Sequence, residues 1–275
     1  MKYNELAQRI TTVILLTIFS GLVLLLSEHP VVMIALVIFL ASLAVYEIYN
    51  VMGFGKDIPF IVITEIIVVA VSCIRIPKYT FLLVFIYPVI VLFFFTLMIT
   101  HKRFTLDSKF QAFLIAMVIL YFFQSLKELR LVNQGFYYLA FGILVSVLTD
   151  SFAFVWGKLL GKHKMAPTVS PKKTWEGSFG GTLSALVFIV LIAMLEEHLG
   201  NITVMYYPLV IVTLAASALS QLGDLSMSVI KRICGVKDFG SIFPGHGGVL
   251  DRFDSHLFAI PFVLITQTYL LDFIN

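Results

Sequence analysis

The chain has 275 residues, of which 60% are hydrophobic and 13% are charged, and its formal net charge at pH 7 is +3. Charged residues make up about 25% of an ordinary soluble domain, so this composition excludes a soluble globular protein. The apolar runs are long and lack strict alternation, which favours membrane-spanning helices over a closed barrel. We therefore predict an all-α, polytopic integral membrane protein.

Nine apolar runs follow one another along the chain and predict about nine transmembrane helices. The first run follows Lys2 and Arg9, as in a signal peptide, but it is long and offers no small-residue cleavage site, so we expect an uncleaved span. The fifth run is the least distinct, and the eighth is expected to continue as a helix towards Arg232. The runs cover approximately residues 10–27, 30–50, 58–76, 79–100, 110–127, 136–160, 178–198, 204–222 and 256–273.

Basic residues are distributed unequally between the two sides of this predicted bundle. With nine spans, 15 of the 19 Lys and Arg residues fall on the side that holds the N-terminus. Cytoplasmic loops of membrane proteins carry such an excess. We therefore expect a multi-pass protein of the cytoplasmic membrane whose N-terminus, loop after the sixth span and loop after the eighth span all face the cytoplasm, where the two loops can form a single site.

Two aspartates lie where the membrane should be, Asp150 inside the sixth run and Asp224 at the end of the eighth. Ionisable residues at such positions are costly and usually face a wet cavity with a partner. Helical spacing places each of them on a polar or small face, although a structural contact between helices would also explain these faces. The two faces consist of Ser146, Asp150, Ala153 and Gly157, and of Ser217, Gln221, Asp224, Ser228 and Lys231.

Two further aspartates, Asp251 and Asp254, follow a glycine-rich stretch, and in a helical turn their spacing of three places both on one face. Carboxylates from separate segments near phosphates are typical of Mg²⁺, which takes oxygen ligands and is shared with substrate phosphates. We predict Asp224, Asp251 and Asp254 as metal ligands. The alternative for Asp251 is a structural ion pair with Arg252 or a nearby lysine.

Glycines and basic residues accompany these aspartates. Gly247 and Gly248 allow close backbone approach and could form an anion nest, although a plain tight turn is the alternative. The segment SPKKTWEG is predicted to open a helix with Ser170 as N-cap and Pro171 at the first position. Together these features predict a site for a polyphosphate and a divalent cation.

Such a site, open to the cytoplasm and rooted in the bilayer, suits a reaction between a nucleotide and a lipid phosphate. The protein then mainly positions the reactants and offsets their charge. A phosphate monoester is largely dianionic at neutral pH and is already a nucleophile. His246 is therefore predicted to donate a hydrogen bond to phosphate rather than to act as a base, with a purely structural role as the alternative.

The segment SVIKRICGVKDFGSIFPGHGGVLDRFD, residues 228–254, resembles the signature of the phosphatidate cytidylyltransferases, also called CDP-diacylglycerol synthases. SPKKTWEG, and Asp150 with AFVWGKLLGKHK, resemble the other characteristic stretch of that family. The resemblance implies transfer of CMP from CTP to phosphatidate, giving CDP-diacylglycerol and pyrophosphate, with Mg²⁺ as cofactor. The sequence leaves a second cation open. The resemblance also implies an all-helical membrane fold that is usually dimeric, so the expected partners are CTP, phosphatidate, membrane lipid and a second copy of the chain, and no nucleic acid.

The resemblance makes Asp224 and Asp251 the best metal ligands and, with the residue patterns above, defines the expected site. The residues expected to act in catalysis are Asp224, Asp251, Lys172 and His246. Those expected to bind substrate are Asp150, Ser170, Lys173, Lys231, Arg232, Lys237, Asp238, Gly247, Gly248 and Arg252.

Residues 1–135 are expected to form a transmembrane scaffold facing lipid, and residues 136–275 a catalytic transmembrane region with cytoplasmic loops at 161–177 and 223–255. One alternative is a CTP-dependent polyprenol or dolichol kinase, which would transfer the terminal phosphoryl group. CDP-alcohol phosphotransferases fit less well, because their multi-aspartate helix pattern is absent from the sequence. A membrane transporter would use the membrane aspartates as coupling sites, but the N-terminal half shows no matching polar set.

Overall fold

The computed structural model describes residues 29–73, 108–243, 247–270 and 273–274. Within these ranges the regular secondary structure is helical apart from one short hairpin and two isolated β-bridges, which confirms the predicted all-α architecture. The spans predicted at 10–27 and 79–100 lie outside the described residues, so the count of nine stays a prediction. The seven other predicted spans each coincide with a helix.

The helices are named here in chain order. Among the described residues, five helices are long and apolar enough to cross a membrane, namely Pro30–Val51, Ser108–Leu131, Gly135–Leu160, Trp175–His198 and Tyr206–Ile233. The apolar helices Ile58–Cys73 and His256–Leu270 are shorter. The eighth predicted run does continue as one helix past Arg232. The bounds are α1 Pro30–Val51, α2 Ile58–Cys73, α3 Ser108–Leu131, α4 Gly135–Leu160, α5 Trp175–His198, α6 Tyr206–Ile233, α7 Leu250–Phe253 and α8 His256–Ile265, followed by a π-helical turn at Thr266–Leu270.

The described chain forms two compact units that interleave along the sequence. The first contains α1, α2, most of α3 and the segment Ile233–Phe253. The second contains α4, the hairpin, α5, α6 up to Arg232, and the residues from Asp254 onwards. These packing units differ from the predicted division at residue 135 into a scaffold region and a catalytic region. That division concerned function and stays a prediction.

Aromatic side chains hold the first unit together. Tyr49 on α1 stacks on Phe60 of α2 with 4.7 Å between ring centroids, and its hydroxyl lies 2.9 Å from the hydroxyl of Thr64. At the other end of the chain, Phe253 of α7 contacts the rings of Phe122 and Phe123 on α3, at 5.6 and 5.4 Å. The short helix α7 is thereby fixed to helices from the N-terminal half.

Small residues allow α4 and α5 to pack closely in the second unit. A side-chain carbon at Gly177 would lie 2.6 Å from the carbonyl oxygen of Ala153, and one at Gly181 would lie 2.7 Å from that of Thr149. Glycine is therefore required on α5 at both positions, as is typical of closely packed membrane helices. The predicted small face of α4, which includes Ala153 and Gly157, is confirmed as a helix contact.

Two short antiparallel strands, β1 Lys164–Ala166 and β2 Ser170–Thr174, connect α4 to α5. The prediction that Ser170 and Pro171 open a helix is wrong, because this segment is extended and pairs with β1. The helix begins four residues later than predicted, with Thr174 as its N-cap, whose hydroxyl accepts a hydrogen bond from the Gly177 amide at 3.2 Å. Threonine is also a favoured N-cap residue, and here the strand pairing of Ser170 decides between the two candidates.

Candidate active site

Three aspartates from separate segments of the second unit interact electrostatically. Asp150 lies on α4, Asp224 on α6 and Asp254 between α7 and α8. The charge of Asp224 acts on Asp150, and the charges of Asp224 and Asp150 both act on Asp254. Asp150 is also hydrogen bonded to Ser255. Gly223 allows this approach, because a side-chain carbon there would lie 2.6 Å from the Asp254 carbonyl oxygen. Three carboxylates that the sequence places up to 104 positions apart thus form one cluster.

Two lysines pair with this aspartate cluster. Lys173 Nζ lies 2.6 Å from Asp224 Oδ2, and Lys231 Nζ lies 3.4 Å from Asp254 Oδ2. The side chains of the Lys231–Asp254 pair are only 10% and 17% exposed. Ser228 adds a hydrogen bond to Asp224 Oδ1 at 3.3 Å. With all groups ionised, three negative charges face two positive ones, so the cluster favours an additional cation.

The pKa of Asp254 reflects its burial first and this excess of negative charge second. Burial is the main cause that raises the pKa of Asp254, to about 7, and the charges of Asp224 and Asp150 act in the same direction. Lys231 and the Ser255 amide oppose the rise. The folded protein therefore pays an electrostatic cost for ionising this carboxyl, as is common where function rather than stability selects a charge.

The polar stripe predicted on α6 faces α4 and α5. The Ser217 hydroxyl lies 2.9 Å from the hydroxyls of both Thr149 and Thr182, and Gln221 Nε2 donates to Thr182 at 3.0 Å. Ser217 and Gln221 are buried. Ser217 and Gln221 therefore belong to an interhelical hydrogen-bond network, as the structural interpretation of the stripe expects. The interpretation of Asp224 and Lys231 as parts of a polar site stays a prediction.

The basic residues next to the cluster differ in their surroundings. Successive side chains of a strand point to opposite faces, and accordingly Lys173 of β2 pairs with Asp224 whereas Lys172 is exposed. Arg232 is also exposed, and its Nε donates to the carbonyl oxygen of Val169 at 3.3 Å, next to the half-buried Ser170. Lys172 and Arg232 are thus placed at the surface of the second unit.

The other predicted site residues belong to the first unit. Asp251 is buried, and its Oδ2 accepts hydrogen bonds from the backbone amides of Phe239 at 2.8 Å and Gly248 at 2.9 Å. Gly247 has φ +84° and lies against the Asp251 carboxylate, which leaves no room for a side chain. The Gly248 amide, predicted to take part in an anion nest, is bonded to a carboxylate of the chain itself. The exposed residues in this segment include Lys237, Asp238 and Arg252, and His246 lies outside the described residues.

Glu47, which contacts the glycine-rich segment of the first unit, was missed by the sequence reasoning. It lies on α1, is 4% exposed, and accepts hydrogen bonds from the Val249 and Leu250 amides, each at 2.9 Å. A signal was available, because Glu47 is an ionisable residue inside an apolar run. The rule that singled out Asp150 applies to it equally.

A family comparison decides what kind of protein carries these residues. The family model described as "Cytidylyltransferase family" matches residues 7–270, nearly the whole chain. The chain belongs to the cytidylyltransferase family. The match confirms, at the level of the family, the resemblance seen in residues 228–254.

The curated relatives of this chain include three staphylococcal proteins that are called phosphatidate cytidylyltransferase. That of Staphylococcus epidermidis is 42% identical over 177 residues, which is 62% of this chain and 64% of the relative. That of Staphylococcus saprophyticus is 44% identical over 143 residues, 52% of this chain and 53% of the relative. That of Staphylococcus aureus is 47% identical over 133 residues, 48% of this chain and 50% of the relative. The chain thus matches between half and two thirds of the length of these relatives.

The carboxylates of the aspartate cluster fit a magnesium ion that is shared with a substrate. Among the residues that the structure describes, no three His, Cys, Asp or Glu side chains form a metal site by themselves. Mg²⁺ usually takes one or two protein carboxylates and completes its shell with water and substrate phosphates. Asp224 and Asp254 supply such carboxylates in a cluster with excess negative charge. Asp251 as a ligand stays a prediction.

Proposed function

We propose that the protein transfers CMP from CTP to the phosphate of phosphatidate, giving CDP-diacylglycerol and pyrophosphate. Its membership in the cytidylyltransferase family and the names of its curated relatives support this proposal. The observation that carries it is the pairing of Lys173 with Asp224 and of Lys231 with Asp254 at helices able to span a membrane. Such a cluster combines groups for phosphate and for a cation with access to a lipid substrate.

The proposed reaction is a substitution at the α-phosphorus of CTP. An oxygen of the phosphatidate phosphate forms a bond to the α-phosphorus. The bond between the α-phosphorus and the oxygen that bridges it to the β-phosphate breaks. Pyrophosphate leaves with the electron pair of that bond. Because a phosphate monoester is largely dianionic at neutral pH, no side chain has to remove a proton from the nucleophile.

The lysines of the cluster act on the repulsion between two anionic substrates. Lys173 and Lys231 are held by aspartates at the site, so their ammonium groups are ready for phosphate oxygens without further ordering of the chain. Lys172, Arg232, Lys237, Arg252 and His246 are proposed as further phosphate-binding residues on the sequence resemblance. Positioning and charge neutralisation are the main contributions a protein makes to such transfers.

Magnesium is proposed as the cofactor, with Asp224 and Asp254 as the ligands that the geometry supports best. When bound, the ion would neutralise charge on the phosphates and help to orient them. Asp251 as a further ligand remains a proposal from the sequence resemblance, and a second cation stays open.

The cellular setting is proposed from the charge distribution. The excess of basic residues on the N-terminal side supports a multi-pass protein of the cytoplasmic membrane with its site facing the cytoplasm. A homodimer is proposed from the family resemblance.

The position of the label in CTP tests the proposed reaction. Purified protein in detergent would be given phosphatidate, Mg²⁺ and CTP labelled at either the α- or the γ-phosphate. We expect the α-label in the lipid fraction as CDP-diacylglycerol and the γ-label in soluble pyrophosphate. Transfer of the γ-label to a lipid alcohol would instead show a lipid kinase, and no labelled lipid from phosphatidate would refute the proposal.

A further inference from the structure

The carboxylate of Glu47 holds the backbone of a segment about 200 residues later in the chain. Its Oε1 accepts the Val249 amide and its Oε2 accepts the Leu250 amide, both at 2.9 Å. The neighbouring amide, that of Gly248, donates to Asp251 at 2.9 Å. Three consecutive backbone amides are therefore bonded to two carboxylates, all within the first unit.

The glycines around Glu47 show that this contact is closely fitted. A side-chain carbon at Gly240 or at Gly248 would collide with the Glu47 carboxylate. Two chain segments, one before and one after the turn near Gly247, thus approach the same side chain. Glycine at both positions is explained by this approach rather than by backbone conformation, because positive φ is found at Gly247 and not at these two.

The burial of Glu47 requires compensation. A buried carboxylate loses its hydration at considerable cost unless hydrogen bonds replace the water. The two amide bonds supply this replacement, and bonds from a neutral donor to a charged acceptor are stronger than ordinary ones. The side chain and the segment therefore depend on each other, and loss of Glu47 would leave two buried amides without their acceptor.

We infer that Glu47 is a positioning residue for nucleotidyl transfer, which fixes the backbone at residues 248–251 and through it the side chains of Asp251 and Arg252. The activity part of this inference rests on the proposed function. Its structural part rests only on the contacts within the first unit. Through Glu47, helix α1 would position this segment in addition to serving as a scaffold that faces lipid.

Three variants of the full-length protein test the inference. Glu47→Gln places an amide nitrogen against one of the two backbone donors and so loses at least one hydrogen bond. Glu47→Asp keeps the carboxylate on a shorter side chain and should restore part of the function. Glu65→Gln is the matched control, because Glu65 is also a carboxylate of a helix in the first unit but bonds to Ser42.

Two readouts are needed, hydrogen exchange of peptides covering residues 247–253 and the steady-state constants of CMP transfer. We expect Glu47→Gln to exchange these amides faster while α4 to α6 stay protected, and to lower kcat by about 10- to 100-fold, as is typical when a group supporting a site residue is removed. Glu47→Asp should be intermediate in both readouts, and Glu65→Gln should resemble the wild type.

Unchanged exchange at 247–253 together with normal turnover in Glu47→Gln would overturn the inference. Loss of protection along the whole chain in Glu47→Gln would mean that this variant is unfolded, and Glu47→Asp would then be the deciding variant. A folded Glu47→Asp protein with fast exchange at 247–253 and full activity would also contradict a positioning role. If the wild-type protein transferred no CMP, the proposed function would fail, while the exchange experiment would still show whether Glu47 holds the segment.

Discussion

At the scale of single residues, the cluster of Asp150, Asp224 and Asp254 brings three like charges together when all three carboxyls are ionised. Lys173 and Lys231 offset part of this repulsion through their ion pairs. Such an arrangement is poor for stability, because buried charges are rarely compensated fully by a partner. It is suited to receiving a cation and a polyphosphate, which supply the missing charges.

The pKa of Asp254 gives a test of this conflict between stability and function. Because its folded-state value of about 7 exceeds the ordinary value of about 4, the folded protein binds more protons than the unfolded chain between these pH values. The free energy of unfolding therefore falls as the pH rises through this range. Asp254→Asn should raise the melting temperature at pH 8 by about 2–4 °C without added divalent cation, and by less at pH 5.

The melting temperatures of purified wild type and Asp254→Asn, measured by differential scanning calorimetry at the two pH values, check this prediction. Asp57→Asn is a suitable control, because Asp57 lies between α1 and α2 in a surface ion pair with Lys109. An equal effect of Asp254→Asn at pH 5 and pH 8 would contradict the account of its ionisation.

At the scale of the elements, sequence periodicity predicted which faces of the helices meet. The small face of α4 and the polar stripe of α6 were both identified from spacings of three and four, because polar or small residues inside an apolar run usually face a neighbouring helix rather than lipid. The strand at Ser170–Thr174 was not predicted. Ser170 and Thr174 are both good N-caps, and only the pairing with β1, a contact between segments, distinguishes them.

The close packing of α4 and α5 predicts a specific sensitivity. Gly181→Val should destabilise the protein by about 1–3 kcal/mol, because the added carbons meet the Thr149 carbonyl oxygen and the Ala153 side chain. Leu183→Ala on the same helix is the control, since Leu183 is 63% exposed. Thermal unfolding in detergent measures both, and equal effects of the two substitutions would contradict the packing described for α5.

At the scale of the whole molecule, the sequence was sufficient for the membrane class and the family, but not for the way the chain divides or for which aspartates lie together. The sequence grouped Asp251 with Asp224 and Asp254, whereas the structure groups Asp150 with them. Ile233–Phe253 packs with the N-terminal helices, through Phe253 on α3 and the Val249 and Leu250 amides on Glu47. Contacts between residues 200 positions apart leave no local pattern. Glu47 was conspicuous in the sequence as an ionisable residue inside an apolar run, but its partners could be identified only in three dimensions.

The orientation in the membrane is a further prediction at this scale. Helix α5 has 24 residues and is about 36 Å long, enough to cross the hydrocarbon core. It separates Thr168 in the hairpin from Asn201 after its other end, and both residues are exposed. In a background with Cys73 and Cys234 replaced by Ser, a cysteine at position 168 should react with an impermeant maleimide only in inverted vesicles. A cysteine at position 201 should react only from the outside, and the reverse pattern would contradict the orientation.

The initial rate of CMP transfer by folded Asp224→Asn and Asp254→Asn proteins tests most directly whether the aspartate cluster is the catalytic site. With saturating CTP, phosphatidate and Mg²⁺, and Asp57→Asn as the control, we expect both cluster variants to lose more than about 100-fold in rate, since each removes a charge from the proposed magnesium and phosphate site. The control should keep the wild-type rate. Near-normal turnover by either cluster variant would contradict the central claim.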